Sequence, residues 1–217
     1  DASTFARAAS VLLGADPSPL PASPRLLCPA DAWALIEPAP AAALSVALER
    51  VEAVLGEATA CRLPEPGLDE AYTHYRVIQG REAWAVDGGF IERYAPPLGP
   101  GVKERFEWAR ALGDDEVARG IAFRERFRAA MHALLGDDGV LVVPTMPDIA
   151  PLLTTSEASL DAYRQVALRL LCVAGLAGLP QLSLPLARRD GAPLGLSLIG
   201  PAGADRSLVA IAETIAT

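Results

Sequence analysis

The sequence predicts an α/β fold in which helices cover both faces of a mixed, mainly parallel β-sheet. The run Asp138-Gly-Val-Leu-Val-Val-Pro144 is apolar without alternation, which is typical of a central strand buried on both faces. A strand, a helix and a strand follow one another between residues 25 and 63, and such a unit favours parallel pairing through a right-handed crossover. Two alternating segments, 181–186 and 194–199, flank a turn and predict an antiparallel hairpin in the same sheet.

The first part of the chain supplies the predicted strand–helix–strand unit. A helix is predicted over residues 1–13, capped by Asp1, and the proline-rich stretch after it predicts a loop. The apolar run Arg25-Leu-Leu-Cys-Pro29 predicts a buried strand. Helical spacing of leucine and valine predicts a helix over 41–55, and residues 58–63 predict the second strand.

The middle of the chain, roughly 68–136, carries most of the charge and is predicted to be helical. One helix begins after Gly67 and a short one spans about 102–112. A longer helix over about 114–135 should bury a face that includes Ile121, Phe127 and Met131. Two more helices are predicted, at about 159–176, where the segment is apolar nearly all round after Val166, and from residue 204 to about 216.

Composition and charge exclude several classes of protein. Hydrophobic residues make up 51% of the 217 residues, which excludes an intrinsically disordered chain. The formal net charge of −8 repels phosphate, so no nucleic-acid partner is predicted. No run approaches 18 uninterrupted apolar residues and the N-terminus has no signal core, which predicts a soluble, cytoplasmic protein without membrane association.

The residues that most often carry chemistry form no recognisable constellation. Cys28, Cys61 and Cys172 are scattered in apolar stretches, where small buried side chains are the expected role. The two histidines are far apart in sequence and predict no metal site. Ser183 lies in an apolar strand without an evident base, so no catalytic residue is assigned from the sequence.

Several segments resemble the amidase signature family, and they occur in the family's order and at its spacing. They are Asp138–Pro151, with Pro-Thr-Met-Pro after the central strand, Ala174–Pro185, with Gly-Leu-Pro-Gln-Leu-Ser-Leu-Pro, and Gly191–Pro201. Residues 75–84 and 97–106 are similar to the branch that includes indole-acetamide hydrolases. The resemblance implies that residues 1–217 are the C-terminal portion of a single amidase domain, and therefore an incomplete amidase signature fold.

The resemblance also implies an activity that this chain cannot perform alone. Members of the family hydrolyse amides with a serine nucleophile, a second serine in a cis peptide and a lysine that starts the proton relay. The chain has no Gly-Gly-Ser-Ser stretch, and its one lysine, Lys103, precedes Glu104, which favours a charged surface lysine. The chain is thus expected to be an inactive, substrate-pocket portion of an amidohydrolase that converts a carboxylic amide to an acid and ammonia or an amine.

The expected partners follow from the same resemblance. They are a small-molecule amide substrate and the N-terminal portion of the same protein, with no cofactor and no metal, and a homodimer remains open. The alternative is a non-catalytic amidase-like module that binds a partner through the inherited pocket or a helical surface. Sequence upstream of this chain would discriminate the two, because only the enzyme requires the serine and lysine residues.

The pocket wall is predicted at the loop after the central strand and in the small-residue part of the helix that follows. Open α/β sheets place ligand-lining loops at the C-terminal ends of their strands. Small residues in the helix would leave room for an acyl group, so the pocket should be mostly apolar. The predicted substrate-binding residues are Pro144, Thr145, Met146, Pro147, Ile149, Cys172 and Gly175. A rigid proline-framed connection and a plain core helix are the structural alternatives for these two segments.

Overall fold

A computed structural model describes residues 1–99 and 101–216, while Pro100 and Thr217 lie outside the described residues. Within this part the chain forms eight helices and five strands. The helices are α1 (Ala2–Leu12), α2 (Ala30–Trp33), α3 (Pro38–Leu55), α4 (Leu68–Tyr94), α5 (Val102–Ala111), α6 (Asp114–Leu135), α7 (Glu157–Ala177) and α8 (Asp205–Ala216). The strands are β1 (Arg25–Pro29), β2 (Thr59–Cys61), β3 (Gly139–Pro144), β4 (Gln181–Arg189) and β5 (Ala192–Ile199).

The strands form one mixed sheet in the order β2-β1-β3-β5-β4. Strand β1 pairs in parallel with both β2 and β3, and β5 pairs antiparallel with both β3 and β4. This arrangement confirms the parallel pairing predicted for the strand–helix–strand unit and the prediction that the hairpin belongs to the same sheet. Among the described strands the parallel and antiparallel pairs are equal in number, so the sheet is mixed without being mainly parallel.

Strand β3 lies at the centre of the sheet because its sequence has no polar side to expose. Val140, Leu141 and Val142 have no exposed surface, which requires a layer of structure on each face. Helices α3 and α8 pack against β4, and α1 packs on α8. Helices α4, α6 and α7 pack against one another, and α6 contacts β3. The prediction of an α/β fold with a sheet covered by helices is confirmed.

Helix ends follow the local sequence closely. The Asp1 carboxylate accepts a hydrogen bond from the Thr4 N–H at 2.8 Å, which caps α1. Helix α6 ends at Gly136 with φ +57°, a conformation that glycine adopts readily, and β3 begins three residues later. Gly178, with φ +64°, ends α7 in the same way just before β4. After these turns the chain enters β3, the central strand, and β4, an edge strand.

Three features differ from the sequence-based expectation. The short helix α2 was not predicted, and α4 continues without a break to Tyr94. Ile121 was expected to be buried but is 42% exposed, whereas Phe123 is buried and stacks on Phe127 with ring centroids 5.8 Å apart. The burial predicted for Phe127 and Met131 is confirmed, and the difference is confined to the first half of α6, where packing against α4 buries Phe123 in place of Ile121.

Candidate binding pocket at the end of strand β3

A cavity of about 350 Å³ lies where β3 ends beside the β4–β5 hairpin. Its wall combines the loop after β3, one side chain of α7 and both strands of the hairpin. The lining residues are Thr145, Met146, Asp148, Ala150, Pro151, Tyr163, Ser183, Pro185, Pro193, Leu194 and Gly195. Most of these side chains are apolar, so the cavity suits a small ligand with a largely hydrocarbon body.

A second cavity, of about 530 Å³, adjoins the first on the side of α7. The two share Asp148, Ala150, Pro151 and Tyr163. The second is also lined by Ile149 and Arg189. The loop after β3 thus separates two neighbouring spaces, and its conformation determines the shape of both.

Three hydroxyl groups and one amide meet on the cavity side of the hairpin. Thr145 Oγ1 lies 3.0 Å from Ser183 Oγ and 2.8 Å from Ser197 Oγ. The Gln181 Nε2 group donates to Ser197 Oγ at 2.9 Å. Ser183 and Ser197 are directly opposite each other in the β4–β5 register, which places both side chains on one face. The cluster is a hydrogen-bonding patch at the edge of an otherwise apolar cavity.

Gly195 makes room for this cluster. A Cβ atom at this position would lie 3.1 Å from Ser183 Oγ and 3.2 Å from Thr145 Oγ1, closer than side chains normally pack. The Gly195 carbonyl also accepts a 3.0 Å hydrogen bond from the Thr145 N–H. The glycine therefore lets the end of β3 approach the hairpin closely enough for the hydroxyl groups to meet.

An ion pair fixes the loop after β3 to the hairpin. Arg189 Nε donates to Asp148 Oδ1 at 2.7 Å and its Nη2 donates to Oδ2, while the Ile149 N–H donates to Oδ1 at 2.7 Å. Burial opposes ionisation of Asp148, but these hydrogen bonds outweigh it and hold the pKa of the carboxyl below its ordinary value. The Tyr163 hydroxyl donates to the Asp148 carbonyl at 2.9 Å, which ties the loop to α7. The carboxylate is thus already paired and its main part is to hold the loop.

The structure brings some of the residues predicted for the pocket to these cavities. Thr145 and Met146 line the first cavity and Ile149 lines the second. Pro144 is buried as the last residue of β3, paired with Leu196, and Pro147 is buried in the loop. Neither proline lines either cavity.

The predicted helical segment lies elsewhere. Cys172 is fully buried in the core cluster, and burial raises the pKa of its thiol to about 12. Gly175 faces α4, where a Cβ atom would lie 3.2 Å from Tyr75 Cε2. Neither residue lines the two cavities at the end of β3, so the structure separates the two segments that sequence reasoning combined.

Three residues of the site were not singled out from the sequence. Arg189 and Tyr163 hold the loop, and Gln181 forms part of the hydroxyl cluster. Ser183 was considered only as a nucleophile, not as a pocket residue. The alternation Gln181-Leu-Ser-Leu could have predicted a polar cluster, because period-two spacing puts Gln181 and Ser183 on the same face of a strand. No sequence signal paired Arg189 with Asp148, 41 residues away.

Other side chains that could react or bind a metal ion are spread over the helices. The Lys103 ammonium is 3.8 Å from Glu107 and well exposed, in agreement with its assignment as a surface lysine. His74 stacks on Phe123 with ring centroids 4.5 Å apart. Throughout residues 1–99 and 101–216, no three His, Cys, Asp or Glu side chains cluster as metal ligands. None of the described helices combines the length and the hydropathy of a membrane-spanning segment.

Comparison with known proteins connects the pocket with a family. A family model described as Amidase matches residues 82–209, which include β3, α7 and the hairpin. "Amidase 1" of Oryza sativa subsp. japonica is 38% identical over 141 residues, which cover 64% of this chain and 32% of that protein. The "2-amino-5-chloromuconic acid deaminase" of Comamonas testosteroni is 31% identical over 192 residues, covering 83% of this chain and 40% of that protein.

A solved structure described as "Crystal structure of amidase" has a similar fold. It superposes with a TM-score of 0.79 at 25% identity and covers 92% of this chain and 47% of that chain. This chain therefore spans about a third of the length of the Oryza relative and about half of the solved amidase. Because the family model covers more than half of the sequence and includes every strand that borders the pocket, the chain belongs to the amidase family.

Proposed function

We propose that this chain is the C-terminal, substrate-pocket portion of an amidohydrolase that converts a carboxylic amide to an acid and ammonia or an amine. One observation carries the proposal: the apolar cavity with a hydroxyl edge at the end of β3, inside the region that matches the amidase family. Such a cavity suits an amide with a small organic acyl group.

In this proposal the chain binds the substrate and another part of the protein supplies the reacting groups. A serine hydroxyl is a weak nucleophile unless a base accepts its proton. Ser183 has the Thr145 hydroxyl as its side-chain partner, and a hydroxyl group is not a base at neutral pH. The resemblance to the amidase signature family implies that the nucleophile, the relay lysine and the donors that stabilise the oxyanion lie in the N-terminal portion of the enzyme, and the surroundings of Ser183 are consistent with this division.

The pocket contributes to catalysis by holding the amide in one position. Met146, Pro185 and Leu194 offer apolar surface to the acyl group, and the hydroxyl cluster offers hydrogen bonds. The Asp148–Arg189 pair keeps the loop after β3 in place. Correct placement of the amide relative to the nucleophile is worth a large part of the rate enhancement in such reactions.

The test measures ammonia release from a series of primary aryl and alkyl amides. We expect no turnover with the purified 217-residue chain and turnover with the complete enzyme that contains it. Hydrolysis by the chain alone that is abolished by Ser183→Ala would contradict the proposal that another part of the protein supplies the nucleophile. If the complete protein binds amides but hydrolyses none of them, a non-catalytic amidase-like module becomes the better description.

A further inference from the structure

Four hydrogen-bonded side chains form a relay from the interior of the hairpin to the cavity wall. Gln181 Nε2 lies 2.9 Å from Ser197 Oγ, which lies 2.8 Å from Thr145 Oγ1, which lies 3.0 Å from Ser183 Oγ. Ser197 has no exposed surface, whereas Ser183 is exposed and lines the cavity. The relay therefore joins a partly buried amide group to a hydroxyl group that a ligand can reach.

The direction of the relay is determined at its inner end. An amide N–H can only donate, so Ser197 Oγ accepts from Gln181. Within the described part of the chain, the other partner of Ser197 Oγ is Thr145 Oγ1, so the Ser197 proton goes to Thr145. Thr145 then accepts from Ser197. Either hydroxyl could donate in the Thr145–Ser183 contact, and we take Thr145 as the donor because this arrangement keeps its proton within the cluster.

This direction leaves one donor at the end of the relay. Ser183 Oγ accepts from Thr145, and its own proton has no acceptor among residues 1–99 and 101–216. The proton is thus free to point into the cavity. Hydrogen bonds in a row polarise one another, which makes the last O–H a better donor than an isolated serine. Gly195 preserves the geometry, because a side chain there would push Ser183 and Thr145 apart.

We propose that Ser183 is a substrate-binding residue that donates its hydroxyl proton to an acceptor oxygen on the acyl part of the amide. Thr145, Ser197 and Gln181 are positioning residues that orient this donor. The inference rests on the proposed function, because it takes the cavity at the end of β3 as the substrate pocket. The substrate class is then an amide whose acyl chain carries a second acceptor oxygen, in a ketone or a carboxylate, and not a pure hydrocarbon chain.

A titration with two matched amides tests the donor. The probes are levulinamide, which has a ketone oxygen in its acyl chain, and an analogue in which a C=CH₂ group replaces the C=O group. Binding to the 217-residue chain is followed by the backbone amide chemical shifts of Thr145, Ser183 and Gly195. We expect the ketone to bind about fivefold more tightly, the effect of one neutral hydrogen bond. Ser183→Ala should make the two affinities equal, while Ser45→Ala, on the exposed side of α3, should preserve the preference.

Reversal of the relay tests the positioning residues. In Gln181→Glu the ionised carboxylate can only accept, so Ser197, Thr145 and Ser183 each donate towards it. Ser183 then presents lone pairs to the cavity, and the ketone should bind less tightly than its C=CH₂ analogue. Gln181→Met, of similar size, leaves the direction free and should give an intermediate preference. A purely structural role of Gln181 would lower both affinities by the same factor.

Three results would overturn the inference: equal affinities of the two probes for the unaltered chain, no shift at Ser183 with either probe, or a preference that survives Ser183→Ala. The titration measures binding by the chain alone. Failure of the complete enzyme to hydrolyse amides would therefore contradict the proposed function and leave the outcome of the titration intact.

Discussion

The two faces of the β4–β5 hairpin have opposite roles although they are built from the same alternating sequence. On one face, Leu184 pairs with Leu196 and Leu182 with Leu198, next to helices α3 and α8. On the other face, Ser183 pairs with Ser197, and Thr145 joins them from the end of β3. One face completes the hydrophobic core, and the other forms the wall of a cavity.

This difference shows how one hairpin can serve stability and binding independently. Period-two alternation separates the two sets of side chains across the sheet, so a change on one face leaves the contacts of the other largely intact. The polar face remains ordered because its groups satisfy one another and because the Asp148–Arg189 pair holds the neighbouring loop. Four substitutions, from the largest expected effect to the smallest, test this separation.

The largest effect is expected on the apolar face. Leu196 has no exposed surface, so Leu196→Ala leaves a cavity in the core and should lower the free energy of unfolding by about 2–5 kcal/mol. Urea denaturation measures the change. Leu153→Ala is the matched control, since Leu153 is fully exposed and its truncation should alter stability by less than about 0.5 kcal/mol. A loss at Leu196 no larger than that of the control would contradict the assignment of this face to the core.

A smaller loss of stability is expected at the centre of the polar face. Ser197→Ala removes the group that joins Gln181 to Thr145 and leaves both without their buried partner. The free energy of unfolding should fall by about 1–3 kcal/mol, measured by the same denaturation. Ser183→Ala, at the exposed end of the relay, should cost less than about 1 kcal/mol. A larger loss of stability for Ser183→Ala than for Ser197→Ala would contradict the view that the buried serine holds the hydroxyl cluster together.

Bulk added to the loop after β3, beside the polar face, should change substrate binding. Met146 lines the first cavity, so Met146→Trp should shrink it and raise KM for bulky aryl amides in the complete enzyme by about tenfold, or about 1.4 kcal/mol. For small amides KM should change much less, because they do not fill the cavity. Met146→Leu, of similar volume, is the control. If bulky and small amides respond alike, the loop after β3 does not line the substrate pocket.

The smallest effect is a pH-dependent one at Asp148. Because the folded protein lowers the pKa of this carboxyl, ionised Asp148 stabilises the fold above the unfolded-state pKa, about 3.9, and this contribution disappears as pH falls through the folded-state pKa. Asp148→Asn should therefore lower the free energy of unfolding at pH 7 by about 0.5–1 kcal/mol, a modest value because the ion pair is about one third exposed.

Denaturation of both proteins between neutral and acidic pH measures this difference, which should vanish at the acidic end. Asp161→Asn, in an exposed pair with Arg164 on α7, controls for the loss of a carboxylate and should change stability less. A difference at Asp148 that grows as the pH falls would contradict the role assigned to its ionised form.

Much of the fold could be predicted because long apolar runs and glycine stops are local signals. The central position of β3 follows from a strand without a polar side, and the hairpin from two alternating segments around a turn. The orientation of helical faces was harder to predict. After Val166 helix α7 is apolar nearly all round, so its sequence did not show which side faces the cavity. Cys172 and Gly175 were therefore assigned to the pocket, although Cys172 lies in the core and Gly175 faces Tyr75.

The site was predictable only where topology places it. The loop after β3 was predicted to line a ligand pocket because it follows the C-terminal end of a central strand. Thr145, Met146 and Ile149 do line cavities. The partners of that loop come from distant parts of the chain. The register that puts Ser183 opposite Ser197, and the meeting of Asp148 with Arg189, depend on how the finished sheet pairs.

Photoaffinity labelling of the complete enzyme tests most directly whether the cavity at the end of β3 is the substrate pocket. An aryl amide that carries a diazirine is bound and irradiated, and the labelled peptides are identified by mass spectrometry. We expect labels within residues 145–151 and 193–195, which line this cavity, and we expect an unlabelled amide substrate to suppress them. A neighbouring groove of about 420 Å³ shares Ser183 and Pro185 with this cavity and is otherwise lined by residues of α1, α3, α8 and β4, including Phe5, Leu184 and Val209. Labels confined to α1 and α8 would place the substrate in that groove and contradict the assignment of the pocket.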